Sequence, residues 1–151
     1  MSFAALAAKM KAKSTVVAFD FRGHGSHYCD DETNLCQEVL FADTLAVLEH
    51  TRARFEGRTI IIIGHSMGGS IAAKVAHKIE NEMAGSELCK AINGLFVIDV
   101  VEGSAMEALP FMEQIVKSRP KHFPDLQSVI RYGIQSGQVK DRLSARVSMP
   151  A

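Results

Sequence analysis

Residues 59–79, TIIIIGHSMGGSIAAKVAHKI, constrain this chain more than any other stretch. They open on Thr59 and four isoleucines, a β-branched run that reads as a strand buried on both faces inside a parallel sheet. Gly64-His65-Ser66-Met67-Gly68 follows, a match to G-x-S-x-G. Beyond it Met67, Ile71, Val75 and Ile79 recur every four residues, with Ala72 and Ala76 beside them, which is helical spacing. A serine at a sharp strand-to-helix turn is the context of a nucleophile elbow. Such a turn holds its central residue in a strained backbone conformation, and flanking side chains collide with the strand and helix. Gly64 and Gly68 are expected to leave that room, and Gly69 and Ser70 to keep the first helical turn slim so that the helix packs close. The helix N-terminus aims backbone N–H groups at the site, and the N–H of Met67, the residue after the serine, is the expected oxyanion donor. The plainer alternative is a glycine-rich turn that packs well or binds phosphate.

A length of 151 residues allows one domain with a real core, and 47% hydrophobic content is ordinary for a globular chain. Seventeen basic and 17 acidic residues cancel, so bulk charge makes no case for nucleic acid or an anionic membrane. No apolar run has membrane-spanning length, and residues 1–13 lack a secretory signal pattern. Cys29, Cys36 and Cys89 are odd in number and form no metal motif or C-x-x-C. Reduced thiols in a cytosolic or nuclear protein, with no metal, are therefore expected.

In chain order, residues 2–13 read as a helix capped by Ser2, with Phe3, Leu6, Ala7 and Met10 on one face. Residues 15–21, TVVAFDF, read as a second buried strand running into the Arg22-Gly23-His24-Gly25 turn. Residues 29–34 are polar loop. A helix is expected over 35–55, with Phe41, Leu45, Leu48 and Phe55 on one side and Gly57 ending it. After the elbow helix, Gly85 and Ser86 mark a break, and residues 94–100, GLFVIDV, form a third buried strand. Strands alternating with helices indicate an α/β architecture with a mostly parallel sheet and flanking helices. Residues 104–118 look helical, with Met106, Leu109, Met112 and Val116 as the stripe and Pro110 perturbing it. Asp125 is placed to cap a helix running to about Gln135, and Ser136-Gly137 to stop it. Residues 141–149 read as a short helix or a loop. Residues 1–103 are thus expected to form the sheet-bearing core, with the elbow at 64–68, and residues 104–151 a helical lid segment of the same domain.

Several blocks together carry a resemblance: VVAFDFRGHG, IIIIGHSMGGSIAAKVA, GLFVIDVVEGSAMEAL, RPKHF and SGQVKDRLSARVSM. The chain resembles the protein phosphatase methylesterases, a family of α/β-hydrolases. The first two blocks fit many α/β-hydrolases, whereas residues 98–109 and 136–149 are particular to the methylesterases. The resemblance implies a partial α/β-hydrolase fold and a serine esterase without metal or organic cofactor. The implied substrate is the methyl ester on the C-terminal leucine of the type-2A phosphatase catalytic subunit, which is also the implied partner. Carried over by position, Ser66 matches the nucleophile, Asp99 in I-D-V-V-E-G the triad acid, and Met67 the residue whose N–H enters the oxyanion hole.

Two parts of the family pattern are not matched: the strand with its glycine-rich H-G-G-G-type loop, and the late loop that carries the catalytic histidine. The expectation is a truncated chain, inactive alone, with a missing strand between the 15–21 and 59–63 strands and with open sheet edges. Serine ester hydrolysis needs a base, an acid that orients it, and oxyanion donors. None of the six histidines is a good base. His65 adjoins Ser66 and should point away, and His24 belongs to the R-G-H-G turn. His27 lies on the same loop, His50 and His77 lie on helix exteriors, and His122 is in the lid. Asp99 has a plainer role open to it as a helix cap, and Glu102 is the rival acid. Asp20 reads as a turn residue. Arg22, Arg119, Arg142 and Arg146 read as solvated or ion-paired before they read as substrate contacts. Two other functions stand beside the esterase: a non-catalytic phosphatase-binding fragment, and an α/β-hydrolase esterase of other substrate range.

Overall fold

A computed structural model describes residues 3–25, 28–100 and 102–150, with the side chains of 102–105 left out. The cap expected from Ser2 therefore lies outside the described residues. The chain divides into two compact units. One comprises Met1–Asp20, His24–Ser26 and Ala108–Ala151, the other Phe21–Gly23 and His27–Glu107.

The second unit is built around the elbow stretch. Helix α2 (Gln37–Arg54) leads to strand β1 (Ile60–His65), helix α3 (Met67–Glu82), the short helix α4 (Glu87–Ala91) and strand β2 (Ile92–Ile98). The strands pair in parallel, from Ile60 opposite Ile92 to His65 opposite Ile98, with one irregularity after Ile60. α3 packs on both strands and on α2. Its four-residue spacing is the core: Ile71, Ala72, Val75 and Ile79 are buried and meet Leu40 and Leu48 of α2, Ile62 of β1 and Leu88 of α4. Met67, first in that series, is instead 42% exposed at the helix start. On α2 the deepest positions are Leu40, Thr44 and Leu48, one residue off the expected line for the first two, with Phe41 and Leu45 packed at the edge. Thr44 is tolerated in the core because its hydroxyl donates to the Leu40 carbonyl at 2.7 Å. Ile79 is 1% exposed, so Ile79→Ala is expected to cost about 2–5 kcal/mol in urea unfolding.

Three strand expectations need correction. Residues 15–21 form no strand. β-branched residues fit a pleated surface only when a neighbour completes the ladder, and in the described sheet β1 pairs with β2 alone. Val16, Val17 and Phe19 are exposed accordingly. Nor are β1 and β2 buried on both faces. Ile62 and Gly64 turn toward α3 and are buried, whereas Ile61 and Phe96 are 56% and 60% exposed. Finally, β2 starts two residues earlier than expected and ends at Ile98, so Asp99 lies just past the strand. The break near residue 85 hides α4, whose cap is the Ser86 hydroxyl accepting from the Cys89 N–H at 3.1 Å.

The first unit is helical. α1 (Ala4–Met10) packs on α7 (Arg142–Ser148), and α7 packs on α6 (Leu126–Gln135). Helix α5 (Glu102–Ser118) starts in the second unit and ends in the first, holds Pro110 in its interior and runs on to Ser118 regardless. The stripe expected on it is present but uncovered, with Met106, Leu109, Met112 and Val116 all exposed. α6 and α7 begin alike: Asp125 accepts from the Ser128 N–H and Asp141 from the Ser144 N–H, both at 2.7 Å. The chain turns between them at Gly137, where φ is 75°.

Both capping carboxyls are held below the usual carboxylate range, first by the backbone N–H of the capped serine and then by its hydroxyl. A depressed folded value means the stabilisation is fully present above the unfolded value of about 3.9 and is lost as pH falls through the folded one. Helicity by circular dichroism is therefore expected to hold from neutral pH down and to fall below about pH 4. Asp125→Asn with Asp141→Asn keeps a capping oxygen without a titrating one. That pair should remove the α6–α7 share of the acid transition, and an unchanged transition would refute the assignment.

Candidate active site

β1 delivers Ser66 to the carboxyl end of the sheet. Its backbone sits at φ 51°, ψ −122°, a region L-residues rarely occupy. Three contacts hold it there. Its N–H donates to the Ile98 carbonyl at 2.9 Å, extending the ladder past β1. Its own carbonyl accepts from Gly69 N–H at 2.9 Å and Ser70 N–H at 3.1 Å, closing the first turn of α3. The side chain makes no capping hydrogen bond, although a serine at an N-cap ordinarily does. The hydroxyl is thus left exposed at the end of a helix whose first N–H groups include that of Met67.

The glycines explain how strand and helix come this close. A Cβ on Gly64 would fall onto the Gly68 carbonyl oxygen and lie 2.7 Å from both Gly68 C and Gly69 Cα. A Cβ on Gly69 would meet Val100 Cγ2 at 2.7 Å and Val97 Cγ1 at 3.2 Å. Gly68 differs from expectation: a Cβ there meets only Phe21, at an ordinary 3.7 Å. The tight pair is Gly64 and Gly69, because the helix axis rather than the turn itself crosses the strands.

Asp99 follows from the register. His65 is opposite Ile98, so Ser66 and Asp99 are the next residues on neighbouring parallel strands, which lie about 4.8 Å apart. Asp99 also has a positive φ, 54°. Beyond it the backbone has left the strand, and Val100 packs down over Gly69. Its carboxylate Oδ2 lies 3.7 Å from His65 Nε2, with the imidazole half exposed and the carboxylate more so. Sequence reasoning missed that pair. His65 ends β1 directly opposite the residue before Asp99, so the parallel register was the signal that could have found it.

Residues 2–146 match the family profile Hydrolase_4, serine aminopeptidase S33, an α/β-hydrolase family. The chain belongs to that family. Among its curated relatives, the probable protein phosphatase methylesterase 1 of Caenorhabditis elegans is 40% identical over 136 residues, covering 90% of this chain and 35% of that protein. Protein phosphatase methylesterase 1 of Bos taurus is 38% identical over 139 residues, 92% of this chain and 34% of that protein. The Emericella nidulans protein of the same name is 37% identical over 169 residues, 100% of this chain and 40% of its own length. The chain thus spans about a third of the length of these relatives.

For an α/β-hydrolase, the order strand, elbow, helix, strand, acid is a natural one, since ligands collect at the carboxyl ends of parallel strands. Arg22 uses its fork on Asp43, Nε to Oδ2 at 2.6 Å and Nη2 to Oδ1 at 2.7 Å, and that bond raises the guanidinium's already high pKa. His50 is exposed on α2, and His77 is exposed on α3, where its carbonyl and ring meet Asn81. His122 is exposed in the helical unit. Asp20 lies against Gly25 in the R-G-H-G turn, where Gly23 and Gly25 take φ of 67° and 59°. His27 and the Glu102 side chain lie outside the described residues. No described helix is long and apolar enough to cross a membrane.

Proposed function

We propose that this chain carries the nucleophile and the acid of a serine carboxylesterase that demethylates a protein phosphatase, with the C-terminal leucine methyl ester of the type-2A catalytic subunit as substrate. The observation that carries it is Ser66 at φ 51°, its hydroxyl uncapped, one strand from Asp99. The names of the relatives support the substrate class. In this reading Ser66 Oγ attacks the ester carbonyl carbon while a histidine takes its proton. The Met67 N–H steadies the oxyanion, and methanol leaves with the proton. Water then cleaves the acyl-enzyme by the same steps in reverse order. Asp99 orients the histidine and stabilises its cation.

His65 touches Asp99 but is bonded directly to Ser66, and neighbouring strand residues project to opposite faces. The base is accordingly a histidine other than His65, and little turnover is expected from these 151 residues by themselves. The odd number and motif-free spacing of Cys29, Cys36 and Cys89 suit a cytosolic or nuclear setting.

Methanol release from a methyl-esterified phosphatase C-terminal peptide, measured in a protein of the relatives' full length, tests the assignment. Asp99→Asn should lower kcat by about 10³–10⁴ while KM changes little. An Asn variant within tenfold of the parent would exclude Asp99 as the acid. Capture of the phosphatase subunit by a protein of the relatives' full length, with no fluorophosphonate adduct on Ser66, would favour a non-catalytic binding role instead.

A further inference from the structure

The helical unit contains a cleft of about 480 Å³ that owes nothing to Ser66. Its floor is Ile130 and Ile134, half-buried on α6. Gln127, Arg131 and Gln135 continue the same face, spaced by three or four residues. Arg142 and Arg146, one turn apart on α7, form the opposite wall.

The walls are fixed rather than incidental. Gly133 is buried where a Cβ would meet the Met149 side chain at 2.7 Å, so α6 lies tight against the end of α7. Val139 N–H donates to the Gly133 carbonyl at 3.0 Å and ties the connecting turn back onto α6. Phe123 braces Tyr132 on another face of α6, ring centroids 5.3 Å apart.

The charge is one-sided. Residues 125–146 contain Arg131, Lys140, Arg142 and Arg146 against Asp125 and Asp141. Both aspartates spend an oxygen on a helix cap. Arg131 and Lys9 act on them only through space. Among the described residues, none of the three cleft arginines is in an ion pair.

We propose that the α6–α7 cleft is a docking site for an acidic peptide segment of a protein partner, one that carries carboxylates beside an aliphatic side chain. Guanidinium forks suit carboxylates, the two glutamine amides suit peptide groups, and the isoleucine floor takes the aliphatic side chain. A volume of this size is that of a ligand site. Single-stranded nucleic acid calls for stacking aromatics along an extended basic track, and the cleft lining has none. A membrane surface calls for a broad apolar face with cations around it, whereas here two isoleucines lie below the charges. The site stands whether or not Ser66 hydrolyses an ester.

Fluorescence anisotropy with the full chain tests it, using a labelled peptide that alternates glutamate and leucine. Binding is expected to weaken at least about tenfold when Arg131, Arg142 and Arg146 are all changed to Gln, all three being exposed. It should weaken similarly when glutamine replaces glutamate in the peptide, and should decline as salt is raised. Ile134→Ser should weaken the leucine peptide but not an alanine-containing counterpart. Equal binding by the triple variant, equal binding of the uncharged peptide, or tighter binding of an oligonucleotide or a phosphatidylserine vesicle would overturn the proposal.

Discussion

Gly64→Ala is expected to destabilise the strand–elbow–helix unit by more than about 3 kcal/mol and, in a protein of the relatives' full length, to abolish covalent labelling of Ser66 by a fluorophosphonate. The size follows from what the methyl group meets. It would fall on the Gly68 carbonyl oxygen, with Gly68 C and Gly69 Cα at 2.7 Å, and all three are backbone atoms. A flexible side chain can rotate away at small cost, but backbone can yield only by shifting α3 as a body. That helix carries Ile71, Val75 and Ile79 into the core, so moving it opens gaps around the residues that hold the unit together. Gly68→Ala is the internal comparison, because its Cβ meets Phe21 at an ordinary distance. It should cost less than about 1 kcal/mol, since alanine also suits a helix better than glycine. Urea midpoints for the two variants decide the matter. Equal losses would mean that the closeness at Gly64 is not what sets the elbow.

The same contrast shows what could be read from residues alone. The elbow was legible because its constraints are local: four β-branched residues, small residues at the crossing, and a four-residue repeat that had to be helix. Asp125 and the Gly137 stop were legible for the same reason, as each acts within four residues of itself. Asp99 was singled out only through resemblance, since nothing near it says that His65 pairs with the residue before it. The segment TVVAFDF was misread because strand formation is a property of pairs, and propensity says nothing about whether a neighbour is present. Burial failed similarly. An isoleucine run states what a strand can cover, not whether a second layer arrives, and Ile61 is left open. α4 escaped because five residues between a glycine break and a strand carry less than two turns of pattern. Gly69 was legible as the slim first turn of the helix, whereas Gly68 was credited with room it does not need, because the motif names a spacing and packing depends on which glycine faces the crossing strand.

Ser66→Gly should do two opposite things: remove every trace of esterase chemistry from a protein of the relatives' full length, and raise stability. The first effect is the loss of the attacking oxygen, and no other described serine stands at a positive φ. The second comes from strain. A non-glycine residue at φ 51°, ψ −122° carries about 1–3 kcal/mol that the core of α2, α3 and β1 must offset. Glycine reaches that conformation freely but gives back about 0.5–1 kcal/mol through its more disordered unfolded chain. The difference predicts a net gain of about 1 kcal/mol in urea unfolding. Asp99→Gly is the discriminating companion. At φ 54° aspartate is among the few residues that tolerate the left-handed region, so relief there is smaller and the entropy loss nearly cancels it. A stabilised Ser66→Gly beside a neutral Asp99→Gly would locate the stored strain at the serine alone. A destabilised Ser66→Gly would mean that the elbow holds its shape without cost, and that the exposed hydroxyl is a consequence of packing rather than a conformation sustained against it.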